Sequence, residues 1–161
     1  MKKYLVMAAV VFYASVSAAS AQSTGPDYST GVGVKFGWWN GAGISVKHFM
    51  NSNTALEGIL SLWHYGGELC GLYEYHGDIA GAQGLKWYVG AGAHVGIYNN
   101  DYGEVYPARS TGVYLGPDGV LGLDYKITGA PIDLSLDIQP RIDIPGLYFY
   151  VWGGLGVRFA F

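Results

Sequence analysis

The sequence predicts an all-β protein: an eight-stranded antiparallel up-and-down transmembrane β-barrel. Three observations carry this. Apolar and polar residues alternate with period two along most of the chain, and no long segment of period 3.6 competes. Half of the 161 residues are hydrophobic and 16% are aromatic, yet only 13% are charged, about half the usual globular share. There are also 26 Gly and 14 Tyr. A water-soluble domain needs more charge than this to cover its surface.

The same composition removes other classes. The apolar fraction argues against disorder. A net charge of −3 with no basic run argues against nucleic acid as a partner. A single cysteine excludes an intrachain disulfide framework and a Cys-rich zinc site.

Residues 1–21 read as a secretion signal. Lys2 and Lys3 form a positive start, Leu5 to Tyr13 a short apolar run, and Ala19-Ser20-Ala21 a small-x-small cleavage site. The run is too short for a spanning helix. Residues 22–161 are then one barrel domain. No later stretch has the ~20 consecutive apolar residues of a spanning helix.

The strands follow in order. The first is expected at 31–39, with Phe36 and Trp38 on one face and Lys35 on the other. Asn40-Gly41 is a hairpin signal that introduces 42–50. Asn51-Ser52-Asn53 and Gly66-Gly67 are turn clusters that bound 54–65. The fourth strand, 69–76, alternates Tyr73 and Tyr75 with Glu74. Gly77 to Gly84 is a connection. The fifth strand, 85–98, sets Leu85, Trp87, Val89, Ala91, Ala93, Val95 and Ile97 against Lys86, Tyr88, Gly90, Gly92, His94, Gly96 and Tyr98. Residues 99–112 form the one long loop, polar and carrying Tyr102, Glu104, Tyr106 and Arg109. The sixth strand is 113–127. After a short connection, 131–141 alternates Ile132, Leu134, Leu136 and Ile138 with Asp133, Ser135, Asp137 and Gln139. The last strand is 147–161. From Gln22 on, eight strands leave about 17 residues for each strand with its connection, enough for the ~9–11 a tilted spanning strand needs.

Alternation does not say which face is inside, but other features do. The apolar face of the fifth strand carries no charge at seven positions, as a lipid-facing band requires. Its opposite face mixes small residues with Tyr, which suits a crowded lumen. Phe36, Trp38, Tyr73, Tyr75, Trp87, Tyr125, Phe159 and Phe161 gather near strand ends on the apolar face, where rings meet a membrane interface. The final Phe159-Ala160-Phe161 is similar to the C-terminal insertion signal of bacterial outer-membrane barrels.

With that orientation Lys35, Lys47, Glu57, Glu74, Lys86, Asp124, Lys126, Asp133, Asp137, Arg141 and Arg158 point inward. The expectation is a salt-bridged plug, each charge finding an opposite neighbour across the sheet. A lumen of eight strands is only wide enough for its own side chains, and unpaired buried charge costs several kcal/mol. No continuous pore is expected. His94 faces inward and could act as a general base, but Val95 and Gly96 follow it, so a His-x-Ser arrangement is missing. His48, His64 and His76 lack metal-ligand spacing, and Cys70 reads as a packing residue. Gly31-Val32-Gly33 and Gly90-Ala91-Gly92 are not phosphate loops, since no helix follows.

Several stretches carry a family resemblance. They are Gly43-Ile44-Ser45-Val46-Lys47-His48-Phe49, Asn53-Thr54-Ala55-Leu56-Glu57-Gly58-Ile59-Leu60 and Gly71-Leu72-Tyr73-Glu74-Tyr75-His76. They continue with the stretch from Leu85 to His94, Asp118-Gly119-Val120-Leu121-Gly122-Leu123-Asp124-Tyr125, and the stretch from Ile132 to Pro140. The chain resembles small outer-membrane β-barrel proteins of Bacteroidota, themselves similar to eight-stranded barrels of other Gram-negative bacteria. The resemblance implies location and architecture. It implies no catalytic residue.

The functional expectation is a non-enzymatic structural or surface-interaction protein of the outer membrane, without cofactor or metal. Its partners would be outer-membrane lipid, periplasmic chaperones and the barrel-insertion machinery during assembly, and a surface ligand at 99–112. The rival readings are a lipid A-modifying enzyme, a narrow channel and a soluble lipocalin-like barrel.

Overall fold

Period-two alternation produces strands throughout. The computed structural model describes residues 28–37, 41–64, 66–98, 112–144 and 146–161. The elements are β1 (Thr30–Gly37), β2 (Ala42–Phe49), β3 (Thr54–Trp63), β4 (Gly66–Asp78), β5 (Leu85–Tyr98), β6 (Gly112–Lys126), β7 (Ile132–Asp143) and β8 (Tyr148–Ala160). Each strand pairs antiparallel with the next, and β8 pairs with β1, so the sheet is a closed barrel. Closure runs from Gly31 opposite Ala160 to Gly37 opposite Gly154. It is extended by Thr30 N–H donating to Phe161 O at 2.9 Å and Phe161 N–H to Thr30 O at 2.8 Å. No helix among the described residues is long and apolar enough to cross a membrane.

The lower end of the barrel is where β1 starts and β8 finishes. The upper end carries the 99–111 connection. Lower connections are tight. Asn53 N–H donates to Asn51 Oδ1 in the β2–β3 turn. The β4–β5 turn uses Gly81 and Gly84 at φ near +80°, and the β6–β7 turn uses Gly129 at +77°.

β4 extends beyond the sequence expectation at both ends. Gly66-Gly67 is strand, not turn: Gly66 lies opposite Trp63 and Tyr98, Gly67 opposite Leu62 and Ile97. Glycine is required at Gly66 because a Cβ there would collide with Ile97 O. At the other end Gly77 and Asp78 stay paired with Trp87 and Lys86, which shortens the connection to 79–84. β7 also runs two residues further, to Asp143. Residues 1–27, Trp38 and residues 99–111 of the expected long loop lie outside the described residues, and Gly112, expected in that loop, opens β6 opposite Tyr98.

The alternation separates two environments. Large apolar side chains cover the exterior, among them Ile44, Leu60, Leu69, Val95, Leu136 and Phe159. Of the ring girdle expected there, Phe36, Tyr73, Tyr75, Tyr125, Phe159 and Phe161 are exposed. The interior is mostly polar, with Lys, Arg, Asp and Glu buried beside Ser, His and Gln. This is the inverse of a water-soluble barrel.

Candidate functional site in the lumen

The lumen is layered. Its lower half is an ion-pair cluster built by residues that share the inward parity of seven strands. Arg158 Nη1 lies 2.7 Å from Glu57 Oε1, its Nε 2.8 Å from Asp133 and its Nη2 3.4 Å from Asp124. Lys47 Nζ is 2.9 Å from both Glu74 and Asp124 and lies over the Tyr88 ring. Lys35 Nζ is 2.6 Å from Asp137 and 3.4 Å from Glu57. Ser45 donates to Glu57 at 2.6 Å, and the Tyr88 hydroxyl donates to Asp137. Below the cluster, Tyr28 and Phe49 pack edge to face.

Above it is an apolar layer of Ile59, Cys70, Leu72 and Val120, with the Tyr88 ring. The upper half is a second polar cluster. Arg141 donates through Nε to Asp118 at 2.7 Å and through Nη2 to Glu68 at 2.8 Å. His94 Nδ1 lies 2.8 Å from Asp118, and Nε2 lies 3.0 Å from Asp143. The Tyr114 and Tyr150 hydroxyls donate to Glu68 and Asp143, each at 3.0 Å. A small cavity lies at this level, lined by residues that include Ser61, Trp63, Gln139 and Trp152.

Nine of the eleven charges expected inside are buried there: Lys35, Lys47, Glu57, Glu74, Asp124, Asp133, Asp137, Arg141 and Arg158. Lys86 and Lys126 lie half-buried at the lower rim. Lys86 pairs with Asp78, and Lys126 donates to the carbonyl of Ala130 at 2.7 Å. Arg158–Asp133, Arg141–Asp118 and Lys86–Asp78 match neighbouring strands as expected, but other pairs do not. Arg158–Glu57, Lys47–Asp124 and Arg141–Glu68 join strands that are not adjacent in the sheet. In so narrow a barrel opposite walls are within reach of one long side chain.

Three buried acids were missed: Glu68, Asp118 and Asp143. Glu68 fell before the expected start of β4, and Asp143 beyond the expected end of β7. Asp118 had a usable signal, since it shares parity with Asp124 and Lys126 in one strand. His94 is held by a carboxylate at each ring nitrogen, a restraint on its orientation. Cys70 is buried, with its thiol 3.2 Å from Asp118. Among the described residues, no group of three or more His, Cys, Asp or Glu has the geometry to hold a metal. The contacts of both clusters tie strands together across the barrel.

A closed eight-stranded antiparallel barrel with an apolar exterior and a polar, cross-braced interior is the architecture these observations define. The fold is similar to that of a solved structure, the N-terminal β-barrel domain of Pseudomonas aeruginosa OprF. The two are 20% identical, with a TM-score of 0.60, over 82% of this chain and 96% of that one. No family model and no curated protein sequence matches the chain.

Proposed function

We propose that this chain is an integral outer-membrane β-barrel whose filled lumen seals it, and that its role is structural or surface-interacting rather than enzymatic. The observation that carries this is the sorting of side chains by face. Leu62 is 68% exposed and Phe159 56%, while Lys35, Lys47 and Arg158 are each at most 1% exposed. In water that arrangement forfeits roughly 25 cal/mol for each Å² of apolar surface left wet. In lipid the apolar face is solvated, and closure leaves no strand edge unpaired. β4 to β8 have 12–15 residues each, more than the ~9–11 a tilted strand needs to cross.

Residues 1–21 serve as the export signal, and Phe159 and Phe161 as the mark read by the insertion machinery after periplasmic chaperones deliver the chain. The quoted segments support kinship with the small barrels of Bacteroidota. Outer-membrane lipid is the main partner, and the 99–112 segment is the place for a surface ligand. The lower cluster seals the lumen because its cations reach carboxylates on opposite walls. The test is heat-modifiable gel mobility after detergent extraction from the membrane fraction. The expected result is a faster band before boiling than after. Extraction into plain buffer, with one mobility, would overturn the reading.

A further inference from the structure

The β6–β7 seam is built unlike the others. β5 and β6 pair through every residue from Leu85 opposite Tyr125 to Tyr98 opposite Gly112, and β7 and β8 pair from Ile132 to Asp143 without interruption. β6 and β7 pair continuously only from Leu121 opposite Ile138 down to Lys126 opposite Asp133. Above that the ladder keeps only Asp118 opposite Arg141 and an isolated bridge between Leu115 and Ile144. The register is the same on both sides of each break, so no residue has been inserted and this is not a bulge.

The cause is Pro117 in β6 and Pro140 in β7. Proline has no N–H to donate and is normally confined to sheet edges. Leu115 and Ile144 exchange both backbone hydrogen bonds, and parity then turns residue 117 toward β7. The β7–β8 ladder is intact at Pro140, so the missing donor there faces β6. Both prolines therefore remove donors from one seam, each leaving a rung with one carbonyl unmatched. In hydrocarbon that is costly.

Behind the gap the lumen is mixed: β7 buries Gln139 and Arg141 there, while β6 offers Val120. Val120, at the break, belongs to the apolar layer with Ile59, Cys70 and Leu72. At the one rung kept there, Arg141 also holds Asp118 by an ion pair on the lumen side. Above Leu121 this seam holds fewer backbone hydrogen bonds than its neighbours, so it can part there at lower cost. We propose that the β6–β7 seam opens laterally and admits a single hydrocarbon chain from the surrounding lipid to the apolar layer of the lumen. Opening itself makes the room, because Val120 moves with β6. This inference rests on the membrane reading above.

Cys70 is a native reporter, because its thiol contacts Asp118 of the seam. The experiment compares the native barrel with the double variant Pro117→Val and Pro140→Val, both in lipid vesicles. Each is treated with a long-chain N-alkyl maleimide carried in the bilayer and with a charged, water-soluble maleimide. Heat-modifiable mobility is checked first; its failure counts against the membrane reading, not against the seam. The expected result is modification of native Cys70 by the lipid-borne reagent, about tenfold slower in the variant, as two restored backbone hydrogen bonds give. The charged reagent should not distinguish the two proteins. Equal rates with the lipid-borne reagent, or none with the native protein, overturn the proposal. If the variant does not fold, hydrogen exchange decides on the native barrel: amides of residues 116–121 and 138–143 should exchange faster than those of the β4–β5 seam. Equal protection overturns it.

Discussion

Arg158 Nη1 lies 2.7 Å from Glu57 Oε1, so one guanidinium joins β8 to β3 through the middle of the barrel. The same group reaches Asp133 and Asp124 through its other nitrogens. Acids outnumber bases in this cluster, where Glu57, Glu74, Asp124, Asp133 and Asp137 face Lys35, Lys47 and Arg158. Removing one cation leaves buried carboxylates without compensation. Arg158→Met should destabilise the folded barrel by ~3–5 kcal/mol. Arg158→Lys should lie between, because it keeps the charge and loses the fork. The measurement is urea unfolding in detergent, followed by loss of the fast-migrating band. A wild-type midpoint for Arg158→Met would mean that the network contributes little.

The strands were legible because the two faces differ so sharply in chemistry. Ile132 to Gln139 can be assigned residue by residue without knowing its neighbours. Gly66-Gly67 could not, because glycine signals a turn by composition, whereas here it admits the backbone of β5. The lumen was legible as a set of inward residues but not as pairs. Parity states that Arg158 and Glu57 both point inward; only the closed barrel shows that they meet. The upper cluster of Arg141, Asp118, Glu68, His94 and Asp143 was largely hidden, since two of its acids lie beyond the expected strand ends.

Glycines of the barrel divide into those that something overlies in the lumen and those on the open exterior. A Cβ at Gly122 would fall 2.6 Å from the Tyr88 ring and 2.7 Å from Asp137. One at Gly58, outside, would meet nothing within 4 Å. Gly122→Val should therefore cost about 1–3 kcal/mol through overpacking, while Gly58→Ala should be neutral. Thermal unfolding of the two variants under identical detergent conditions checks the contrast. Equal stability would mean that Tyr88 has room to move.

Phe161 makes its described hydrogen bonds to Thr30 and Ser29 through the main chain, and its ring is exposed. Phe161→Ser should leave the folded barrel nearly as stable while slowing its insertion. The check is cell fractionation beside refolding in detergent. Normal refolding with accumulation outside the membrane fraction is the expected pair of results.

Purified protein in planar bilayers should show no steady single-channel conductance, because the lower cluster fills the lumen from Lys35 to Asp137 and from Lys47 to Asp124. Replacing Lys47 and Arg158 together by Ser would open space across several walls. If that double variant folds, it should conduct. A conducting wild type would place the protein with the narrow channels.

The exterior offers the sharpest discrimination between membrane and water. Leu136 is half exposed near the middle of β7, between Leu123 of β6 and Leu155 of β8. On a water-soluble barrel, Leu136→Lys exchanges one exposed side chain for another, and such changes are usually worth within about ±0.5 kcal/mol. At the middle of a lipid-facing strand the same ammonium must leave water, which costs about 2–4 kcal/mol. Leu136→Lys should therefore lower the urea midpoint in lipid vesicles far more than Leu147→Lys, whose site is 76% exposed in the upper β7–β8 connection. The comparison isolates depth, since both changes place the same residue on the same exterior. Equal, small effects at the two positions would assign the apolar face to something other than hydrocarbon.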